Sequence, residues 1–223
     1  MASNTTQLTA TALNVGQRSY IADLWPIALV YSLIMAGVWT PPGPSLAVIA
    51  LLMLGTAAVF AVRGGYSASQ LGLTQPSRGA VPILTAGVLL AVLLAILGPA
   101  VTKPSGYAHV VPLQRAWQYA IWAVAQEFIL QSLFFLRLES LIGGKRAVWV
   151  ASLLFAAAHI PNPLLTPLSF LGSLLFCEMF RRYRNLYPIG VIHALLGLTI
   201  AASLPDSLLH HMRVGIGYLL YHP

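Results

Sequence analysis

Glu127, His159 and His193 place one carboxylate and two imidazoles in three separate apolar runs of the chain. The first run is WQYAIWAVAQEFILQSLFFL, the second ends AVWVASLLFAAAH, and the third is YPIGVIHALLGLTI. A carboxylate near a bilayer centre costs roughly 2.5 to 3.5 kcal/mol on insertion scales, so its presence there asks for a function. Apolar surroundings disfavour the charged form of a carboxylate, which strengthens it as a base toward water. Imidazoles beside it can orient that water or donate to an oxyanion. These groups are the minimum for hydrolysing a peptide bond with activated water, and that chemistry calls for no cofactor. The same three side chains could instead hold Zn²⁺ and lower the pKa of its bound water. No HExxH pattern is present, so the metal option rests on residue type alone.

Depth along the helices brings the three together. Glu127 lies ten residues from Trp117 and ten from Arg137, roughly 15 Å from either end of its run at 1.5 Å per residue. His193 stands nine residues beyond Arg184, so the same rise puts it about 13 Å from the inner surface, with His159 at about 20 Å. All three therefore fit one layer at or just outside the midplane. Gln131 follows Glu127 at i+4 and puts an amide on the same helix face. The other acids, Asp23, Glu139, Glu178 and Asp206, fall at or near predicted membrane edges, where arginines, headgroups or water can satisfy them. Taken singly, an intramembrane histidine is commonly a hydrogen-bonded packing residue; the shared depth favours function.

The nucleophile options are poorer. Ser173 with His193 is similar to a rhomboid-type Ser/His dyad, but Leu171 and Leu174 stand where the GxSG motif needs glycines. Ser152 and Ser169 read as helix-packing serines. Cys177 sits beside Glu178, whose negative charge opposes thiolate formation.

The elements that must carry these residues are membrane helices. Of 223 residues 58% are hydrophobic and 8% charged, a balance that no soluble domain of this size needs. Apolar stretches cover about 24–40, 45–62, 81–101, 117–136, 147–160, 164–180 and 186–203. They predict an all-α, polytopic transmembrane bundle of seven spans, or eight if 207–221 adds one. Segments five and six form a close hairpin across Pro161, Asn162 and Pro163. Residues 1–20 read as a polar N-terminal tail without the features of a signal peptide. Residues 21–223 then form one integral membrane domain. TPPGP at 40–44 is a tight connection, and 64–80 is the longest polar loop.

With seven spans, nine of the twelve basic residues fall on the side of the N-terminus: Arg18, Arg63, Arg78, Arg137, Lys145, Arg146, Arg181, Arg182 and Arg184. Lys103, Arg115 and Arg213 fall on the other. The positive-inside rule puts the N-terminus in the cytoplasm, as for a multi-pass protein of a bacterial inner (plasma) membrane. The net charge of +7 is thus topological, and its partner is the anionic inner leaflet of the lipid bilayer, with no nucleic acid implied. The oligomeric state is open.

Three short segments in this order, QEFILQ at 126–131, FAAAH at 155–159 and HALLG at 193–197, resemble the motifs of the CAAX-protease and bacteriocin-processing (CPBP) family of intramembrane glutamic endopeptidases. The resemblance covers about 115–200. FxxxH is intact. Gln126 replaces the first Glu of the family's EExxxR, Gln131 replaces its Arg, and Gly197 replaces the last residue of HxxxN or HxxxD. Loss of an acid together with a base removes a charge pair at once, the pattern of a coherent variant. The resemblance implies that Glu127 activates water with help from His159, that His193 stabilises the oxyanion, and that Phe155 packs the site, with Gln126 and Gln131 in support. It implies a membrane-anchored protein as substrate, cut near a C-terminal anchor if the chain falls in the branch paired with C-terminal protein-sorting tails. The competing reading is a membrane scaffold, partner-binding protein or proton-coupled carrier in which Glu127 merely pairs with an imidazole.

Overall fold

The computed structural model describes residues 23–102 and 111–221. The polar tail 1–20 and its Arg18, together with Lys103, lie outside the described residues.

Every apolar stretch becomes helical. In chain order these are α1 (Asp23–Val38), α2 (Pro44–Arg63), α3 (Ala80–Thr102), α4 (Leu113–Glu127), a π-helical segment (Phe128–Phe135), α5 (Leu136–Ile142), α6 (Gly144–Ala157), α7 (Leu165–Tyr183), α8 (Leu186–Ser203), α9 (Asp206–Leu209) and α10 (Gly215–Leu219). Pro44 opens α2 at the first turn, where its missing N–H is not needed. α4, the π segment and α5 run on as one rod, Leu113–Ile142.

The chain is a helical membrane protein. Among the described residues four helices, rather than the seven or eight expected, are long and apolar enough to cross a membrane: Pro44–Arg63, Ala80–Ala100, Leu113–Ile142 and Leu186–Ser203. α1 and the 14-residue α6 are shorter, and α7 carries Glu178, Arg181 and Arg182 toward its end. The eighth span expected at 207–221 is broken into α9, a 3₁₀ turn at His210–Met212, and α10. His210, His211 and Met212 all adopt positive φ, and three left-handed residues in a row end any continuous helix.

α2 and α3 present a wide apolar face outward, with Leu51, Leu52, Val62, Val81, Leu89 and Ile96 more than half exposed. In water such a face would be a liability; against lipid it is the favourable surface. The interior instead gathers around the π segment, where Ile129, Leu130, Leu133, Phe134 and Phe135 are buried. α8 packs against both α3 and α4, and α6 packs along α7 as the expected hairpin. Small residues allow close approach: a Cβ at Gly87 would strike Ile192, and one at Gly190 would meet Val124 at 2.9 Å.

The edge acids find their partners. Glu178 bonds Arg181 at 2.8 Å and also Arg182. Glu139 takes Arg184, Asp23 accepts from Ser140, and Asp206 takes His211. The long loop after α2 is stitched to the core: Ser132 Oγ donates to the Leu71 carbonyl at 2.9 Å, and Asn185 Nδ2 donates to the carbonyls of Pro76 and Arg78.

Candidate active site

α4 delivers two candidate residues, Gln126 and Glu127, at its very end. Glu127 is the last α-helical residue before the backbone widens into the π segment, a distortion that recurs at functional sites. Its side chain is fully buried, at 0% exposure. Both carboxylate oxygens are engaged: Gln131 Nε2 donates to Oε2 at 2.9 Å, and His193 Nδ1 donates to Oε1 at 2.8 Å. Gln131 thus holds the acid through a neutral amide, without adding charge.

His193 reaches Glu127 from the middle of α8. Its ring is stacked on Phe176 (centroids 5.5 Å, 23°) and meets Phe155 edge-on at 5.8 Å. With Nδ1–H committed to the carboxylate, Nε2 of the neutral ring is an acceptor. His159 follows the end of α6. Its Nδ1 lies 2.8 Å from the Phe155 carbonyl, and since a carbonyl can only accept, Nδ1 is the donor and Nε2 again the acceptor. Phe155 therefore does more than pack: it fixes the His159 tautomer through its backbone, and its ring touches both imidazoles, at 4.8 Å and 5.8 Å.

Two cavities meet here. One of about 1090 Å³ lies among α3, α4, α6, α7, α8 and the C-terminal segment, and includes His159 and His193 in its wall. A second of about 310 Å³ lies among α1, α2, the π segment and α6. Trp122, Gln126, Phe155, His159 and Val214 line both.

Of the three residues expected in one layer, the two histidines face the larger cavity. Glu127 is not in either wall; it stands behind His193, and Gln126, the preceding residue, is the one that faces the cavities. Consecutive residues on a helix point about 100° apart, so only one of the pair can face inward. Among the described residues no group of three or more His, Cys, Asp or Glu is arranged to hold a metal ion. Ser173 is buried and donates to the Phe170 carbonyl of its own helix at 3.0 Å, as a packing serine does. Cys177 is a buried free thiol.

Sequence reasoning passed over Tyr119 and Trp122. With Gln126 they follow at i, i+3 and i+7, the spacing of one helix face, and all three line the larger cavity. That stripe was the available signal.

Residues 108–199 match the family described as type II CAAX prenyl endopeptidase Rce1-like, and this segment holds Glu127, His159, His193 and all three motifs. No curated protein and no solved structure matches the chain. Over that segment, which is less than half of its length, the chain is similar to the CPBP family of membrane-embedded endopeptidases.

Proposed function

We propose that this protein is an intramembrane endopeptidase of glutamate-dependent type that hydrolyses a peptide bond of a membrane-anchored protein near its C-terminal anchor. The observation that carries the reading is the buried Glu127–His193 hydrogen bond of 2.8 Å, set directly behind the wall of the larger cavity.

That arrangement gives the glutamate its role through the imidazole. The carboxylate orients His193 and stabilises the imidazolium, as the buried acid does in a Ser-His-Asp triad. A water in the cavity hydrogen-bonds to Nε2 of His159 and gives its proton to Nε2 of His193. Its oxygen forms a bond to the scissile carbonyl carbon, and the carbonyl electron pair moves onto oxygen. On collapse the carbon–nitrogen bond breaks, and His193 returns the proton to the leaving nitrogen. Glu127 stays ionised throughout. Gln126 offers a neutral amide on the cavity wall for the substrate backbone.

α6 and α7 pack in the same bundle as the long apolar helices, and α1 adds Ile27 and Val30 to its core, which supports seven segments at membrane depth. The basic-residue distribution supports a cytoplasmic N-terminus in a bacterial inner membrane, with the cavity opening toward the outer half. A substrate with a short C-terminal anchor, of the kind removed during protein sorting, fits that side.

The test uses the purified full chain in proteoliposomes, with a reporter that ends in an apolar helix and a basic cluster. Wild type should release the reporter domain, and Glu127→Gln and His159→Ala should not. Release should be unaffected by a chelator. Equal release by wild type and Glu127→Gln would remove the glutamate from the mechanism.

A further inference from the structure

Gly197 stands one turn beyond His193 on α8 and is buried, at the position where the third motif otherwise carries Asn or Asp. The space that a side chain would take there is already occupied. A Cβ built on Gly197 would coincide with the Tyr119 hydroxyl and overlap its ring. The phenol comes from the facing helix α4, and the glycine leaves the notch that admits it.

Two further observations give that hydroxyl a chemical setting. Tyr119, His193 and Gly197 line the same 1090 Å³ cavity, and the Tyr119 ring lies edge-on to His193 with centroids 6.5 Å apart. Among the described residues the phenol makes no hydrogen bond, so its O–H remains available to a group in the cavity. Four residues of helix separate Gly197 from His193, about 6 Å along the axis. A tetrahedral carbon flanked by a base on one side and an oxyanion donor at 2.7 to 3.1 Å on the other spans about that length.

We propose that Tyr119 is a catalytic residue that donates its hydroxyl hydrogen bond to the oxyanion, taking over from the side chain that Gly197 lacks. The proposal rests on the hydrolase reading above. In the step already described, the carbonyl oxygen gains the electron pair as the water oxygen bonds to carbon; the Tyr119 O–H donates to that oxygen and stays intact. The plain alternative is a ring filling a glycine notch. It predicts that the ring matters and the hydroxyl does not.

Tyr119→Phe separates the two, because it keeps the ring in the notch and removes only the donor. With the anchored reporter in proteoliposomes, Tyr119→Phe should lower kcat by about 10²- to 10³-fold, the usual effect of losing one oxyanion donor. KM and thermal stability should stay near wild type. Gly197→Ala should push the phenol aside and lower kcat similarly, and the double variant should be no worse than the poorer single one, because both remove one interaction. Starting from Tyr119→Ala, adding Gly197→Asn should recover activity. Unchanged kcat in Tyr119→Phe overturns the donor role and leaves the Glu127, His159 and His193 reading standing. Cleavage that survives both Glu127→Gln and His159→Ala overturns the two together.

Discussion

His193 Nδ1 and Glu127 Oε1 are joined at 2.8 Å, a bond that ties the middle of α8 to the last α-helical residue of α4. Because Gln131 holds the other carboxylate oxygen, the acid is left with no open face toward the cavity. On the proposed mechanism its influence on a substrate passes through the imidazole.

The amide of Glu127→Gln would keep the volume but lose the charge that stabilises the imidazolium. The triad precedent for this change is a loss on the order of 10⁴-fold in kcat. The fold should survive. Among the described residues Gln131 Oε1 is buried without a hydrogen-bond partner, so turning that amide over lets it accept from the new one. A near-native melting curve with cleavage lost is the expected pair of results; a collapsed melting curve would mean that the charge holds the bundle.

Asn162 holds the C-terminal segment to the α6–α7 hairpin. It is fully buried, donates to the carbonyls of Leu209 and Arg213, and accepts from the N–H groups of Leu164 and Leu165. Asn162→Ala should cost about 2 to 4 kcal/mol, since several buried groups lose their partner at once. The segment it releases helps to line both cavities through Val214. Limited proteolysis in detergent should therefore cut after Leu204 in the variant before the rest of the bundle opens, and cleavage of the reporter should fall with it.

Ser173→Ala should leave cleavage within about twofold of wild type and cost at most about 1.5 kcal/mol, the value of one ordinary hydrogen bond. The hydroxyl is spent on Phe170 and lies outside both cavities. An inactive Ser173→Ala that still folds would move the nucleophile to serine.

Orientation is tested by reporter fusions. Those placed after Arg78 and Arg184 should report the cytoplasm and one placed after Pro205 the outside, because on the proposed seven-span topology nine of twelve basic residues share the side of the N-terminus. A fully inverted pattern would turn the cavity toward the cytoplasm.

The sequence by itself determined the apolar solvent and the helical class. Apolar runs of spanning length admit only helices in which the backbone satisfies itself, and a lone midplane acid with two imidazoles at matching depth marked the candidate layer. It also exposed the three departures, Gln126, Gln131 and Gly197. What it could not decide was which way each residue faces. α3 and α8 are apolar on nearly every side, so periodicity carries no sign of the buried face. Whether Gln126 or Glu127 meets the cavity is a matter of about 100° of rotation, set by how α4 packs on α8 and by the π turn that follows. The fit of Tyr119 into the Gly197 notch joins residues 78 positions apart, and the break at His210–Met212 replaces a span with a folded segment held by Asn162. These are contacts between helices, and only packing in three dimensions decides them.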